Sequence, residues 1–189
     1  MIQRSLAKRL WYAVLRLGCR FLAVILFCIR CHDRQLEPGE SGVLVLANHQ
    51  SLLDPILVGL ACQRRLNYLA RETLFRFVPL RWLIHSLDAI PIDLDGSGFS
   101  GLKETLRRLK HREMVLLFPE GTRTHNGEVL ALKPGFCTLA RRARVPLLPI
   151  GIDGAFEAWP RTTWFPSLGV INIQFGQPIH PDEVAGYSD

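Results

Sequence analysis

Apolar residues fall into short blocks separated by polar or Gly/Pro-containing stretches. Val43 to Ala47, Met114 to Phe118 and Leu147 to Ile152 have the length of buried strands. Tyr68 to Ala70, Ala89 to Ile92 and Gly169 to Phe175 are further candidates. Between them, Pro55 to Ala61, Phe75 to Ser86, Leu102 to Lys110 and Lys133 to Arg144 read as helices, with Pro55 suited to a first helical turn. Glu37 to Gly42 reads as a turn and Gly96 to Gly101 as a loop. Strands alternating with helices predict an α/β fold.

The N-terminal pattern differs. Leu10 to Ile29 is mostly apolar, but Arg16 and Arg20 interrupt it, and the unbroken run Phe21 to Ile29 falls short of the ~20 residues of a membrane span. A charged stretch, Arg30 to Arg34, stands where a signal peptide would carry a small-residue cleavage site. At about 100° per residue, Arg4, Lys8, Arg9, Arg16, Arg20 and Arg30 occupy one half of a helical wheel, and Leu10, Trp11, Leu17 and Leu22 lie mainly on the other. A basic face opposite a broad apolar face predicts a helix in the membrane interface, its cations towards anionic headgroups. Residues 1–36 are accordingly read as a membrane-associating element and residues 37–189 as one domain.

Composition narrows the classes. With 48% hydrophobic residues the chain is not intrinsically disordered. Five cysteines are too few and uneven for a disulfide scaffold, and Cys28 and Cys31 have no second pair to complete a zinc site, so a reducing compartment is expected. The net charge of +6 favours anions: phosphate, nucleic acid or an acidic membrane surface. No nucleic-acid-binding signature accompanies it, and the basic stretch Lys103 to Arg112 reads as a solvated face, so no nucleic-acid partner is expected.

Two blocks carry chemistry. Asn48-His49-Gln50-Ser51-Leu52-Leu53-Asp54 follows one predicted strand and opens a helix. A carboxylate near an imidazole fixes its tautomer and raises its basicity, leaving the other nitrogen to take a proton. The same residues also suit a helix cap at Asn48 or Ser51 beside a surface histidine. Phe118-Pro119-Glu120-Gly121-Thr122-Arg123 follows another strand. Gly121 permits a tight bend, Thr122 offers a hydroxyl and Arg123 a fork for phosphate, while Glu120 can orient either. Val145 to Gly151 adds a proline-punctuated apolar block. Sites in α/β sheets lie at strand carboxyl ends, where both motifs fall.

Together the blocks resemble the glycerolipid (lysophospholipid) acyltransferase family, of the 1-acylglycerol-3-phosphate O-acyltransferase type, from about Gly42 to about Pro178. Its N-H-x-S-x-x-D block is matched by Asn48, His49, Ser51 and Asp54, and its F-P-E-G-T-R block by Phe118 to Arg123. The resemblance implies a single acyltransferase domain with a mixed central sheet flanked by helices. It implies acyl transfer from acyl-CoA or acyl carrier protein to a lysophospholipid hydroxyl, most simply 1-acylglycerol-3-phosphate, giving phosphatidic acid in phospholipid biosynthesis. His49 is then the general base and Asp54 its orienting partner. Gly121, Thr122 and Arg123 hold the acceptor phosphate and Glu120 braces the loop. No metal or cofactor is expected beyond the thioester co-substrate. The expected partners are membrane lipids, the lysophospholipid and the acyl donor, and the expected location is the cytoplasmic face of a membrane.

One block departs from the family. Members often carry arginine in a P-I-D-R pattern, and Pro91-Ile92-Asp93-Leu94 has Leu94 there. Lys103, Arg107 or Lys133 is a candidate replacement; otherwise the acceptor is another lysolipid, such as an amino-acid lipid. A lipid-binding protein without catalysis is the remaining alternative, and retention of both His49 and Asp54 argues against it. The region Phe75 to Ser86 is expected to line the acyl tunnel.

Overall fold

The computed structural model describes residues 5–72, 81, 84, 89–92, 99–133 and 135–186. Helix α1 (Leu6–Phe27) starts at Ser5, whose hydroxyl accepts the Lys8 N–H (3.4 Å). It ends at Cys28, in the left-handed region at φ 39°. That turn feeds β1 (Arg30–His32), and the chain continues through β2 (Val43–Ala47), α2 (Asp54–Ala61), β3 (Leu66–Arg71), β4 (Ile90–Ile92) and α3 (Phe99–Lys110). β5 (Met114–Leu117), α4 (Gly135–Ala143), β6 (Leu147–Asp153), α5 (Ala155–Ala158), β7 (Asn172–Phe175) and α6 (Pro181–Gly186) follow.

The strands form one sheet in the order β1-β7-β6-β2-β5-β3-β4. Every pairing between these strands is parallel except β6 with β7, so the sheet is mixed, as the family resemblance implied. Strand β2 sits near the centre and is buried on both faces, which explains its unbroken apolar run. Alternation along it divides the core. Val43, Val45 and Ala47 pack with Leu57, Val58 and Phe27 on the α1/α2 side, together with Leu116, Leu148 and Ile173. Leu44 packs on the other side with Leu109, Leu139, Ala140 and Val184, from α3, α4 and α6.

Helix α1 revises the N-terminal expectation. Its 22 residues are long and apolar enough to cross a membrane by length and composition, more than the unbroken run suggested. Arg30 lies in β1, not on the helix, and Arg4 falls outside the described residues. The cations do not form one free face either. Arg16 donates to the carbonyls of Cys62, Gln63 (3.2 Å) and Leu60 (3.5 Å) at the end of α2. The guanidinium of Arg65 lies 4.1 Å from the centre of the Tyr12 ring. Ala23 and Phe27 continue this docked stripe, while Leu10, Val14, Leu17, Phe21, Leu22 and Ile25 stay exposed. Arg16 therefore fastens the helix to the domain, and the outward stripe is apolar.

The five cysteines are free thiols, and burial pushes the Cys62 thiol far up, making it inert packing. Leu94 lies outside the described residues. So does the helix expected over Phe75 to Ser86, apart from Arg81 and Ile84.

Candidate active site

The chain after β2 bends away from the sheet, and three side chains hold the bend. The Asn48 amide donates to the carbonyl of Ile152 (2.8 Å) and accepts the Ile152 N–H (2.7 Å), clamping the end of β2 to β6. Ser51 is fully buried, and its hydroxyl donates to the carbonyl of Trp159 (2.8 Å). Neither residue caps α2 through its side chain: the residue before the helix is Leu53, and Asp54 occupies its first turn.

Asp54 is fully buried. Its Oδ2 accepts three hydrogen bonds: from the backbone N–H of Gln50 (2.6 Å), that of Ser51 (2.7 Å) and the imidazole of His49 (2.8 Å). A carboxylate only accepts, so Nδ1 of His49 carries the proton and Nε2 presents its lone pair. Nε2 makes no hydrogen bond among the described residues. The ring stacks on Phe118, with centroids 4.0 Å apart and planes at 16°. A half-buried histidine is thus fixed in position, plane and tautomer.

The second motif follows β5, the neighbour of β2 in the sheet. Glu120 is buried and reaches the first motif: Oε1 accepts the His49 N–H (2.6 Å) and Oε2 the Leu130 N–H (2.9 Å). The sequence suggested that it orients Thr122 or Arg123; it binds instead to backbone on either side of them. The Thr124 N–H donates to the His49 carbonyl (2.8 Å), and the Gln50 amide donates to the Gly127 carbonyl (2.9 Å). The two loops are therefore one hydrogen-bonded body.

Gly121 has φ 71°, and a Cβ there would lie 2.9 Å from both Cε and Nζ of Lys133. Glycine thus supplies the left-handed bend and the room for the Lys133 ammonium to lie over the loop. Thr122 is exposed at its tip. Arg123 is half-buried; burial and the like charge of Arg161 push its pKa down, and Asp54 opposes them. Arg161 lies near Arg123, Lys133 lies over Gly121, and no carboxylate is paired to Arg123 among the described residues, an arrangement that suits an anion.

Arg161, in the loop after α5, was not singled out by the sequence. It donates to Nε2 of His125 (2.9 Å) and is brought beside Arg123 by the fold alone. No local motif marks it. Of the residues offered as replacements at the Leu94 position, Lys133 is at the loop. Lys103 and Arg107 line a cavity of about 470 Å³ between α3 and α4, in the layer opposite α2. Arg107 is also occupied by Glu104 in a two-pronged ion pair (2.7 and 2.8 Å).

Known proteins resemble this chain in sequence and in fold. The sequence model of a family described as Acyltransferase matches residues 28–153. The 1-acyl-sn-glycerol-3-phosphate acyltransferase of Bacillus subtilis is 27% identical over 83% of this chain and 76% of its own length. The protein of that name from Pseudomonas aeruginosa is 31% identical over 87% of this chain and 66% of its own. The crystal structure of the 1-acyl-sn-glycerophosphate (LPA) acyltransferase PlsC from Thermotoga maritima superposes with a TM-score of 0.83 at 25% identity, covering all of this chain and 76% of that one.

Proposed function

Because the chain belongs to the acyltransferase family, we propose that it moves a fatty acyl group from a thioester to the free hydroxyl of 1-acylglycerol-3-phosphate, giving phosphatidic acid. The observation that carries this reading is the His49–Asp54 pair at 2.8 Å, joined through Glu120 to the loop of Arg123. The names of the Bacillus and Pseudomonas relatives support the choice of acceptor.

Nε2 of His49 takes the proton of the acceptor hydroxyl as its oxygen attacks the thioester carbonyl carbon. Asp54 stabilises the imidazolium that forms, much as a buried aspartate does in other histidine-based acyl transfers. The carbon–sulfur bond then breaks, and the imidazolium returns the proton to the departing sulfur. The products are the new ester and the free thiol of coenzyme A or acyl carrier protein. Imidazole moves the only proton, so the step as written calls on no resident cofactor or metal.

Arg123 grips the acceptor phosphate with its fork, Lys133 adds a point charge over Gly121, and Thr122 offers a hydroxyl at the loop tip. Arg161, beside Arg123, supplies a further cation, and the sequence has Leu94 in place of the family arginine. Helix α1 associates with the membrane, and the domain that follows, whose sheet takes in β1, does the chemistry at its cytoplasmic face. The exposed apolar stripe of α1 supports the membrane association.

The test is thiol release by purified protein given acyl-CoA or acyl carrier protein thioester with a panel of lysolipids. Release with lysophosphatidate well above that with uncharged or amino-acid lysolipids is the expected result. Equal rates across the panel would remove the phosphate assignment, and no release with any acceptor would remove the catalytic one.

A further inference from the structure

The loop between α5 and β7 carries three large apolar side chains that the domain leaves almost bare. Trp164 is 90% exposed, Phe165 82% and Leu168 78%. The backbone beneath them is held. The Ser167 N–H donates to the Ala158 carbonyl (2.7 Å), and the Trp159 indole donates to the Thr163 carbonyl (3.2 Å). At the far end the N–H groups of Gly169 and Ile171 donate to the carbonyls of Leu26 (3.3 Å) and Phe27 (3.1 Å), the last turn of α1. The loop and the C-terminal end of α1 are thus adjoining parts of one surface, where Phe21, Leu22 and Ile25 are also exposed.

Resting on the reading of α1 as membrane-facing, we propose that the Trp164–Leu168 loop is a second membrane contact, inserting Trp164, Phe165 and Leu168 into the lipid interface beside the active site. Three features select a bilayer as the occupant. The loop continues an apolar helix face through backbone hydrogen bonds. Tryptophan and phenylalanine at a turn suit the headgroup boundary. Arg20 and Arg30, both exposed, provide cations for anionic headgroups. The root of the loop is also tied to the catalytic motif, because the Ser51 hydroxyl donates to the Trp159 carbonyl (2.8 Å). Leu52, in the turn between His49 and Asp54, is itself 55% exposed. Lipid contact at the loop therefore brings the mouth of the site to the surface where a lysolipid resides.

The experiment uses the full chain with vesicles of phosphatidylcholine and phosphatidylglycerol, some bearing brominated acyl chains. Trp164 emission, isolated as the difference between the wild type and Trp164→Phe, is expected to shift blue and be quenched by the brominated lipid. The double substitution Trp164→Ser/Phe165→Ser is expected to lower kcat/KM on vesicle-borne lysolipid by about tenfold or more, leaving Tm and turnover of a dispersed short-chain lysolipid unchanged. Unquenched Trp164 in vesicle-bound protein would overturn the proposal while leaving α1 as anchor. Emission that is already blue-shifted without lipid, and varies with protein concentration, would assign the patch to contact between copies and overturn it too. The quenching arm reads the contact whether or not acyl transfer is observed, so failure of the proposed function is separately visible.

Discussion

Glu120→Gln separates bracing from binding. Glu120 is buried and accepts one N–H on each carboxylate oxygen, from His49 at 2.6 Å and Leu130 at 2.9 Å. An amide has one acceptor end and one donor end. Whichever way the substituted amide turned, one of the two N–H groups would face an NH2. One charge-assisted hydrogen bond is then lost, about 1.5–3 kcal/mol, and its buried N–H is left unsatisfied, about 1–3 kcal/mol. These costs overlap, and about 3 kcal/mol is a reasonable total. At about 2–4 °C per kcal/mol for a domain of this size, Tm should fall by roughly 6–12 °C. Activity should fall as well, because the same side chain sets the His49 backbone and the far end of the Arg123 loop. A displacement near 1 Å costs on the order of 100-fold, so kcat should drop and KM for lysophosphatidate rise together. Thermal unfolding and steady-state thiol release measure both. A Glu120→Gln protein with wild-type Tm and kcat/KM within about twofold of wild type would refute the reasoning.

Other perturbations act on single parts. Arg123→Lys keeps the charge but loses the fork, so KM for lysophosphatidate should rise with kcat partly retained. Arg123→Ala should cost some 10- to 150-fold in kcat/KM while sparing apparent thioester affinity; an equal loss on both substrates would contradict the phosphate assignment. Asp54→Asn should lower kcat more than it alters KM, since an amide oxygen still accepts from Nδ1 but supplies no charge; unchanged kcat would refute its role. Hydrogen bonding from Arg107, then Arg108, holds the Glu104 carboxyl down to about 2, below its free value of 4.5. Its contribution is therefore present above pH ~4.5 and disappears as pH falls towards 2. Solvent screens this surface network, so Glu104→Gln should lower Tm at neutral pH by no more than about 3 °C, with the difference vanishing near pH 2; a difference that persists there would refute the linkage.

Much of the site was legible because its parts are local. β2 and β5 are apolar runs that end abruptly in polar motifs, and the sheet pairs them side by side. That pairing brings His49, Asp54 and Glu120 together. What escaped the sequence is long-range or lacks periodicity. β1 is three exposed residues, Arg30 to His32, with no apolar alternation, and exists because β7 offers it an edge. The Asn48 clamp on Ile152 spans 104 residues. Arg161 reaches the site through a loop with no motif. Arg16 fitted a headgroup-facing stripe on the wheel, but carbonyls at the end of α2 claim it. A wheel records angles on one helix; it does not record which neighbour the angle meets.

The central claim is that the His49–Asp54 pair is the base for acyl transfer. The most direct measurement is phosphatidic acid formation by His49→Ala from lysophosphatidate and acyl thioester, in protein whose unfolding transition and vesicle binding match wild type. Loss of the base should lower kcat by about 10²–10⁴-fold, leaving apparent affinity for both substrates nearly unchanged. Near-normal turnover by the folded His49→Ala protein would contradict it.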